Sequence, residues 1–274
     1  MNRPLKFLLG IPAAALLAAG FVFAAFPPPG TVPILMYHFI GSREQAAESG
    51  NYVERGVFRR QMEFLKRFGY RVISLDDYYR SRTGARRPRG REIMITFDDG
   101  HVSFEKEALP ILESFRFPVT LFIISGNLQK NDPASMPLET LKKLKEKPWI
   151  SLQSHTRTHV ALSLLTEAKI RGELQGSKKD LETAFGGRID YLAYPIGDLD
   201  ARVLKIAESA GYRLAFTTSY KRLKGIPEGP ACITRVKINR VADNPIVFWY
   251  EVSGLHQRIK GTLYKLKYSF PRPA

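Results

Sequence analysis

The chain has 274 residues, of which 44% are hydrophobic, enough for one α/β domain with a sizeable core plus an N-terminal segment. Its 42 lysines and arginines outnumber its 26 aspartates and glutamates, and the net charge of +16 favours acidic surfaces or polyanions as partners. No nucleic-acid recognition motif accompanies this charge, so nucleic acid is not expected as a partner. The single cysteine, Cys232, excludes an internal disulfide and lies in a predicted strand.

The N-terminus has the pattern of a membrane anchor or a signal peptide. Residues 7–26 contain no charge and follow Arg3 and Lys6. We expect an uncleaved hydrophobic helix, because the run is long for a signal peptide, although cleavage stays open. The basic residues before the run predict a cytoplasmic N-terminus, with the rest of the chain on the other side of the membrane. A stiff proline-rich linker follows at 27–30.

Apolar runs then alternate with helical patterns along most of the chain. Strands are expected near 32–38, 71–74, 92–97, 118–124, 149–153, 190–194, 213–217 and 232–238, and helices near 57–68, 103–116, 138–146, 166–185 and 200–210. This alternation indicates parallel strands with helices outside them. We divide the chain into an N-terminal segment (1–30), a main domain (31–242) and a basic C-terminal segment (243–274).

Two adjacent carboxylates follow the buried strand expected at 92–97. Asp98 and Asp99 leave this strand in different directions, so one can face a metal while the other faces a water. Gly100 allows a sharp turn directly after them. The alternative is a simple turn in which an aspartate caps the helix that starts near Ser103.

Two histidines follow the strand expected at 149–153. The spacing of His155 and His159 places both imidazoles on one side of a helical turn, as in other His-x-x-x-His metal sites. Two histidines, one carboxylate and a spare carboxylate together are typical of a metal-assisted hydrolase, because three protein ligands leave a coordination position open.

Two further segments end strands but are ambiguous when taken alone. His38 closes the first strand after the N-terminal segment and could be a core histidine. The segment Tyr194, Pro195, Ile196 and Gly197 could be an ordinary tight turn.

Together the motifs resemble the polysaccharide deacetylase family, also called carbohydrate esterase family 4, over residues 32–238. The resemblance implies an α/β fold, a distorted (β/α) barrel of about seven parallel strands, here preceded by the N-terminal hydrophobic helix. The Met-Tyr-His start at 36–38 and the Ala-Tyr-Pro motif at 193–195 are similar to the branch that includes bacterial poly-N-acetylglucosamine deacetylases.

The resemblance also implies roles for individual residues. Asp98 matches the general base and His38 the general acid of the Met-Tyr-His branch. The matched metal ligands are Asp99, His155 and His159, and the matched oxyanion and substrate loop is Tyr194, Pro195 and Ile196. Zinc is the usual metal of the family, although one carboxylate and two imidazoles also suit Co²⁺, Ni²⁺ or Fe²⁺.

Four positions depart from the family pattern: Gln153, Val160, Ala193 and Ile196, of which Ala193 bears on the base. The chitin and peptidoglycan branch has an arginine that orients the base two residues before the motif proline, where this chain has Ala193. Arg235, on the last expected strand, is a candidate substitute.

The resemblance implies an enzyme that removes N-acetyl groups from an N-acetylglucosamine polysaccharide of the cell envelope or biofilm matrix. It would be anchored in a bacterial inner membrane with its catalytic domain in the periplasm or outside the cell, or secreted if the N-terminal segment is cleaved. The alternatives are a deacetylase of a lipid-linked or lipopolysaccharide sugar, a non-catalytic glycan-binding protein on the same fold, and a basic protein that binds membrane surfaces or polyanions.

Two basic regions complete the expectations. An arginine-rich stretch at 82–91 is expected to be a solvated loop. The segment at 243–274 alternates apolar residues with lysine and arginine. It could contact an anionic membrane surface, and we favour a closing helix packed on the barrel.

Overall fold

The computed structural model describes residues 32–130, 132–218 and 229–255, together with the single positions 226, 259 and 262. In these ranges the strands are β1 (Ile34–Tyr37), β2 (Phe39–Gly41), β3 (Tyr52–Glu54), β4 (Arg71–Val72), β5 (Glu92–Phe97), β6 (Val119–Ile123), β7 (Ile150–Ser154), β8 (Tyr191–Ala193), β9 (Leu214–Thr217), β10 (Ile233–Thr234) and β11 (Val236–Lys237). All their pairings are parallel.

The main sheet is a barrel that the last strand nearly closes. The strands run in the order β10-β9-β8-β7-β6-β5-β1-β11, so the last two occupy opposite ends of the order. They are separated in sequence by Arg235 alone, and Val236 pairs with Leu35 while Ile233 pairs with Phe216. Counting β10 and β11 as one interrupted strand gives seven positions around the barrel, with β4 beside the start of β5 as an eighth strand. The expected distorted barrel is confirmed.

The strands are apolar because the barrel interior and the surrounding helices cover both of their faces. All six residues of β5 and all five of β6 are buried, as expected of parallel strands covered on both sides. The helices are α1 (Arg43–Glu48), α2 (Arg55–Arg67), α3 (Leu75–Arg82), α4 (Leu109–Phe115), α5 (Leu138–Lys145), α6 (Glu167–Phe185), α7 (Ala201–Ser209) and α8 (Pro245–Val252). A π-helical turn at Phe104–Ala108 precedes α4. Helices α1 and α3 and the small β2–β3 pair were not predicted.

Beyond residue 82 the arginine-rich stretch is the loop that we expected, with Arg87 and Arg89 exposed and with Arg86 and Arg91 half-buried. Arg82 ends α3, and Arg86 donates to both carboxylate oxygens of Glu92 at 2.5 and 2.7 Å. Glu92 is buried at the start of β5, and a buried carboxylate needs a cationic partner. The burial of Glu92 is not evident from residue identities, so its contact with Arg86 was not predicted.

The beginning of the C-terminal segment packs on the domain. In α8, Phe248 and Val252 are buried, and the Phe248 ring meets that of Phe64 edge-on at 5.5 Å. Most of the remaining segment, and the hydrophobic run at 7–26, lie outside the described residues. Within the described ranges, no helix combines the length and apolar character needed to span a bilayer.

Candidate active site

The predicted site residues gather at one edge of the barrel. Asp98 and Asp99 directly follow β5, His155 follows β7, His38 follows β1, and Arg235 interrupts the last strand. The carboxyl ends of parallel strands meet at the same end of such a barrel, which is where functional groups collect. The fold therefore brings together residues that are up to 197 positions apart in the sequence.

Asp98 is held by a buried arginine. The guanidinium of Arg235 donates through Nη1 to Oδ1 at 2.7 Å and through Nη2 to Oδ2 at 2.6 Å, and both side chains are almost inaccessible, at 0% and 2% exposed. Nη1 also donates to Thr96 Oγ1 at 3.1 Å, and the guanidinium lies 5.2 Å from the centre of the Phe122 ring. Such a two-pronged contact fixes the carboxylate plane as well as its charge.

The charge state of Asp98 follows from these contacts. Burial alone would raise the pKa of its carboxyl, but Arg235 and His155 outweigh burial and hold the pKa below its ordinary value. Asp98 is therefore a carboxylate at neutral pH, although it is shielded from bulk water.

Asp99, His155 and His159 form a compact ligand set. Asp99 Oδ1 lies 3.4 Å from Nε2 of each histidine, and three such ligand atoms lie within 4.8 Å of one another. This buried Oδ1 has no hydrogen-bond partner in the described part of the chain. A buried carboxylate oxygen that faces two imidazole nitrogens without a hydrogen bond fits a divalent cation among them.

The loop that carries the two histidines is not the expected helical turn. Thr156 has a φ of 63° and His159 a φ of 61°, so the backbone enters the left-handed region twice within four residues. The Thr156 hydroxyl accepts a hydrogen bond from the His159 N–H, which closes an irregular turn. The i, i+4 spacing therefore brings both rings to Asp99 through a strained turn and not through a helix.

The orientation of His155 leaves one nitrogen for a metal. The Ala193 carbonyl lies 2.8 Å from Nδ1, and because a carbonyl only accepts, Nδ1 carries the proton and Nε2 faces Asp99. Burial lowers the pKa of His155, but Asp98 and Asp99 outweigh it and raise the pKa above its ordinary value. For His159, burial and the neighbouring His155 lower the pKa.

His38 lies at the same edge with an unused nitrogen. Its buried Nδ1 has no hydrogen-bond partner among the described residues, and burial lowers the pKa of its imidazole even though Asp98 and Asp99 act in the opposite direction. A histidine beside two carboxylates is suited to proton transfer, because the ordinary pKa of an imidazole lies close to neutral pH.

The segment after β8 follows Ala193, whose carbonyl contacts His155. Tyr194 and Pro195 are buried, and the Tyr194 hydroxyl donates to the Ala231 carbonyl at 2.9 Å, so both side chains support the turn. Ile196 is 50% exposed and has a φ of 49°. Of the three predicted loop residues, only Ile196 presents a side chain to solvent.

Comparison with known proteins identifies the family. Residues 85–215 match the family model described as polysaccharide deacetylase. These residues form a polysaccharide deacetylase domain. The Bacillus subtilis protein YxkH is 30% identical over 190 residues, which are 69% of this chain and 65% of YxkH, so the chain spans slightly less than two thirds of that relative.

Two further proteins are similar to this chain. The poly-beta-1,6-N-acetyl-D-glucosamine N-deacetylase of Staphylococcus aureus is 27% identical over 196 residues, 67% of each protein. The solved structure of the Streptococcus pyogenes deacetylase PplD, in complex with acetate, has a TM-score of 0.70 and 29% identity, and the match covers 77% of this chain and 94% of PplD.

Sequence reasoning missed three elements of this candidate site. They are the hydroxyl of Thr96, the ring of Phe122 and the main-chain carbonyl of Ala193. Thr96 could have been found, because it lies two residues before Asp98 and the side-chain period of a strand is two. A main-chain carbonyl leaves no signal in residue identity.

Proposed function

We propose that the chain is a metal-dependent N-deacetylase of a polysaccharide that contains N-acetylglucosamine. The observation that carries the proposal is the convergence of Asp99, His155 and His159 beside a separate carboxylate, Asp98, that Arg235 keeps ionised. A ligand set with an adjacent base is what hydrolysis of an amide requires.

The proposed metal ligands are Asp99 Oδ1, His155 Nε2 and His159 Nε2. When bound, a divalent metal supplies Lewis-acid polarisation of a carbonyl and lowers the pKa of a water molecule. The proton on His155 Nδ1, held by the Ala193 carbonyl, fixes the ring so that its other nitrogen faces Asp99. Zn²⁺ suits this mixed set best, and Co²⁺, Ni²⁺ and Fe²⁺ are compatible with it.

Asp98 acts as the general base in the proposed mechanism. Its carboxylate takes a proton from the attacking water as the water adds to the acetamide carbonyl carbon. Arg235 restrains both oxygens, so the base is oriented before the substrate arrives and little reorganisation is needed in the reaction. Arg235 thereby takes the role of the arginine that the chitin and peptidoglycan branch has at the position of Ala193.

His38 acts as the general acid, and the loop at Ile196 binds the substrate acyl group. Protonated His38 donates to the departing sugar amine, which must gain a proton as its bond to the acyl carbon breaks. The main chain at Ile196 offers an N–H to the developing oxyanion. The exposed Ile196 side chain lines the sugar path.

Two observations support an N-acetylglucosamine polymer as the substrate. The Staphylococcus aureus relative is named for deacetylation of poly-beta-1,6-N-acetyl-D-glucosamine. The Met-Tyr-His and Ala-Tyr-Pro motifs also follow that branch. An envelope or matrix glycan would in addition agree with the proposed export of the domain behind its N-terminal hydrophobic segment.

The test is acetate release by the full-length chain from β-1,6-linked N-acetylglucosamine oligomers. The protein is stripped with a chelator and reloaded with Zn²⁺ or Co²⁺, and Asp98→Asn is the matched variant, because it keeps the shape of the side chain and removes the base. Acetate release that requires metal and is lost in Asp98→Asn supports the proposal. A folded, metal-loaded chain that releases no acetate from polymeric or lipid-linked N-acetylated sugars would refute it.

A further inference from the structure

A carboxylate outside the proposed catalytic set holds the loop that carries the two histidines. Glu173 lies on α6, 14 residues beyond His159, and reaches back to the chain between the two rings. Resting on the proposed function, we propose that Glu173 is a positioning residue that fixes His155 and His159 in the geometry needed to bind the metal.

The contacts of Glu173 are directed at the backbone of this loop. Its Oε2 accepts the N–H of Arg157 at 2.9 Å and the N–H of Thr158 at 2.8 Å. Its Oε1 accepts the Thr158 hydroxyl at 2.6 Å. The two N–H groups belong to consecutive peptide units, so one side chain fixes both of them.

These two N–H groups complete the hydrogen bonding of the loop. The His155 N–H donates to the Ile123 carbonyl, that of Thr156 to the Ser154 hydroxyl, and that of His159 to the Thr156 hydroxyl. With Glu173 present, every N–H from 155 to 159 has a partner. Without it, the two central groups lose theirs, and the loop has neither a helix nor a strand to replace them.

The loop needs such support because its backbone is strained. The left-handed region is unfavourable for residues other than glycine, and Thr156 and His159 both lie there. Strain of this kind persists only where the surroundings determine the conformation. Release of the central residues would let the backbone relax and separate the two imidazole rings.

The opposite side of the loop is already fixed, so Glu173 forms the second half of a clamp. After β6, the N–H of Ser125 donates to the Thr156 carbonyl at 3.1 Å and that of Gly126 to the Arg157 carbonyl at 2.8 Å. A Cβ atom at position 126 would collide with the Arg157 carbonyl, so glycine permits this close approach. The loop is therefore held by main chain on one side and by Glu173 on the other.

Co²⁺ binding to the full-length chain tests the inference without relying on turnover. The visible spectrum of bound Co²⁺ reports ligand geometry, and titration gives its Kd. Loss of a group that orients metal ligands weakens metal binding by about 10- to 100-fold, which is the effect expected for Glu173→Ala. Glu173→Gln should stay within a few-fold of wild type, because its amide oxygen can accept both N–H groups while its NH₂ donates to the Thr158 hydroxyl.

Glu182→Ala is the matched control. Glu182 lies on the same helix and also accepts a main-chain N–H, that of Ile189 at 3.1 Å, away from the histidine loop. Its loss should leave the Co²⁺ affinity and spectrum unchanged. The unfolding midpoints of all variants in chelator show whether Glu173→Ala is folded, and Glu173→Gln keeps the test valid if it is not.

The outcomes separate the two proposals. Unchanged Co²⁺ affinity in Glu173→Ala would overturn the clamp, and so would an equal loss in Glu173→Gln, because the effect would then come from charge and not from hydrogen bonding. A wild-type chain that binds Co²⁺ but releases no acetate would refute the proposed function and leave the clamp standing. A wild-type chain that binds no Co²⁺ would refute both.

Discussion

Removal of Arg235 should change both the stability of the protein and the pH range in which it is active. Replacement by methionine keeps much of the side-chain volume but leaves the Asp98 carboxylate buried without its cation. Loss of one partner of a buried ion pair costs about 3–5 kcal/mol in the free energy of unfolding. Because both side chains are almost inaccessible, we expect Arg235→Met to fall in this range at pH 7.

The sign of the pH effect follows from the environment of Asp98. In the wild type its lowered pKa contributes stability above the unfolded pKa, and this contribution is lost as pH falls through the folded pKa. Without Arg235, burial dominates and raises the pKa, so the carboxyl can protonate and part of the penalty disappears at low pH. The stability difference between the two proteins should therefore grow from pH 5 to pH 8, and the acidic limb of kcat/KM should move to higher pH.

Urea unfolding in chelator and acetate-release profiles measure these effects, and Arg86→Met is the control. Arg86 makes the same two-pronged contact to a buried carboxylate, Glu92, at the opposite end of β5. Its loss should lower stability without moving the pH profile of kcat/KM. If Arg235→Met left the acidic limb in place, or if Arg86→Met moved it equally, the assignment of Arg235 to orientation of the base would be wrong.

Three further predictions concern the acid, the metal and the histidine loop. His38→Ala should lower kcat about 10²- to 10⁴-fold and should remove the fall in kcat at rising pH. The Co²⁺ affinity of this variant should be unchanged in titration, and loss of Co²⁺ binding would contradict the role of His38 as the acid. Zn²⁺ at about 100 times its Kd should stabilise the chain by about 2.7 kcal/mol, or about 5–10 °C in Tm by calorimetry, and His155→Ala should abolish this shift. Gly126→Ala should cost about 1–3 kcal/mol in urea unfolding and weaken Co²⁺ binding, because its Cβ displaces the Arg157 carbonyl; wild-type affinity would show that the loop tolerates displacement.

The residues of the candidate site could be predicted because each follows a recognisable strand. The apolar runs before Asp98 and His155 have the length and composition of buried parallel strands, and β5 and β7 form there. Parallel strands then bring such residues to one edge whatever their separation in sequence. The parallel strands and outer helices follow from the same alternation, whereas the barrel was expected from the family resemblance.

The backbone of the histidine loop could not be predicted in this way. Left-handed conformations are usually signalled by glycine or asparagine, and here they occur at Thr156 and His159. The hydrogen bonds that stabilise this conformation are accepted by Glu173 from the N–H groups of Thr158 and Arg157, which lie 15 and 16 residues before it in sequence. Because that contact depends on how α6 packs, local spacing favours the ordinary helical turn.

The two arginine contacts show the limits of reasoning from charge. Arg235 is a candidate because Ala193 stands where one branch of the family has an arginine. It lies 137 residues from Asp98 in sequence, and the two meet only when the last strand closes the barrel. Arg86 stands in a run of arginines typical of a solvated loop, and the buried Glu92 draws it in. Charge composition predicts the excess of cations but not which of them becomes buried.

The most direct test of the account is a Co²⁺ titration of the metal-free full-length chain that follows acetate release and the visible spectrum together. The account predicts that both signals rise in parallel and saturate at one equivalent, and that both are absent in Asp99→Asn. Asp98→Asn should keep the spectrum and lose acetate release. Acetate release without bound metal, or full release by Asp98→Asn, would contradict a metal-dependent deacetylase that uses Asp98 as its base.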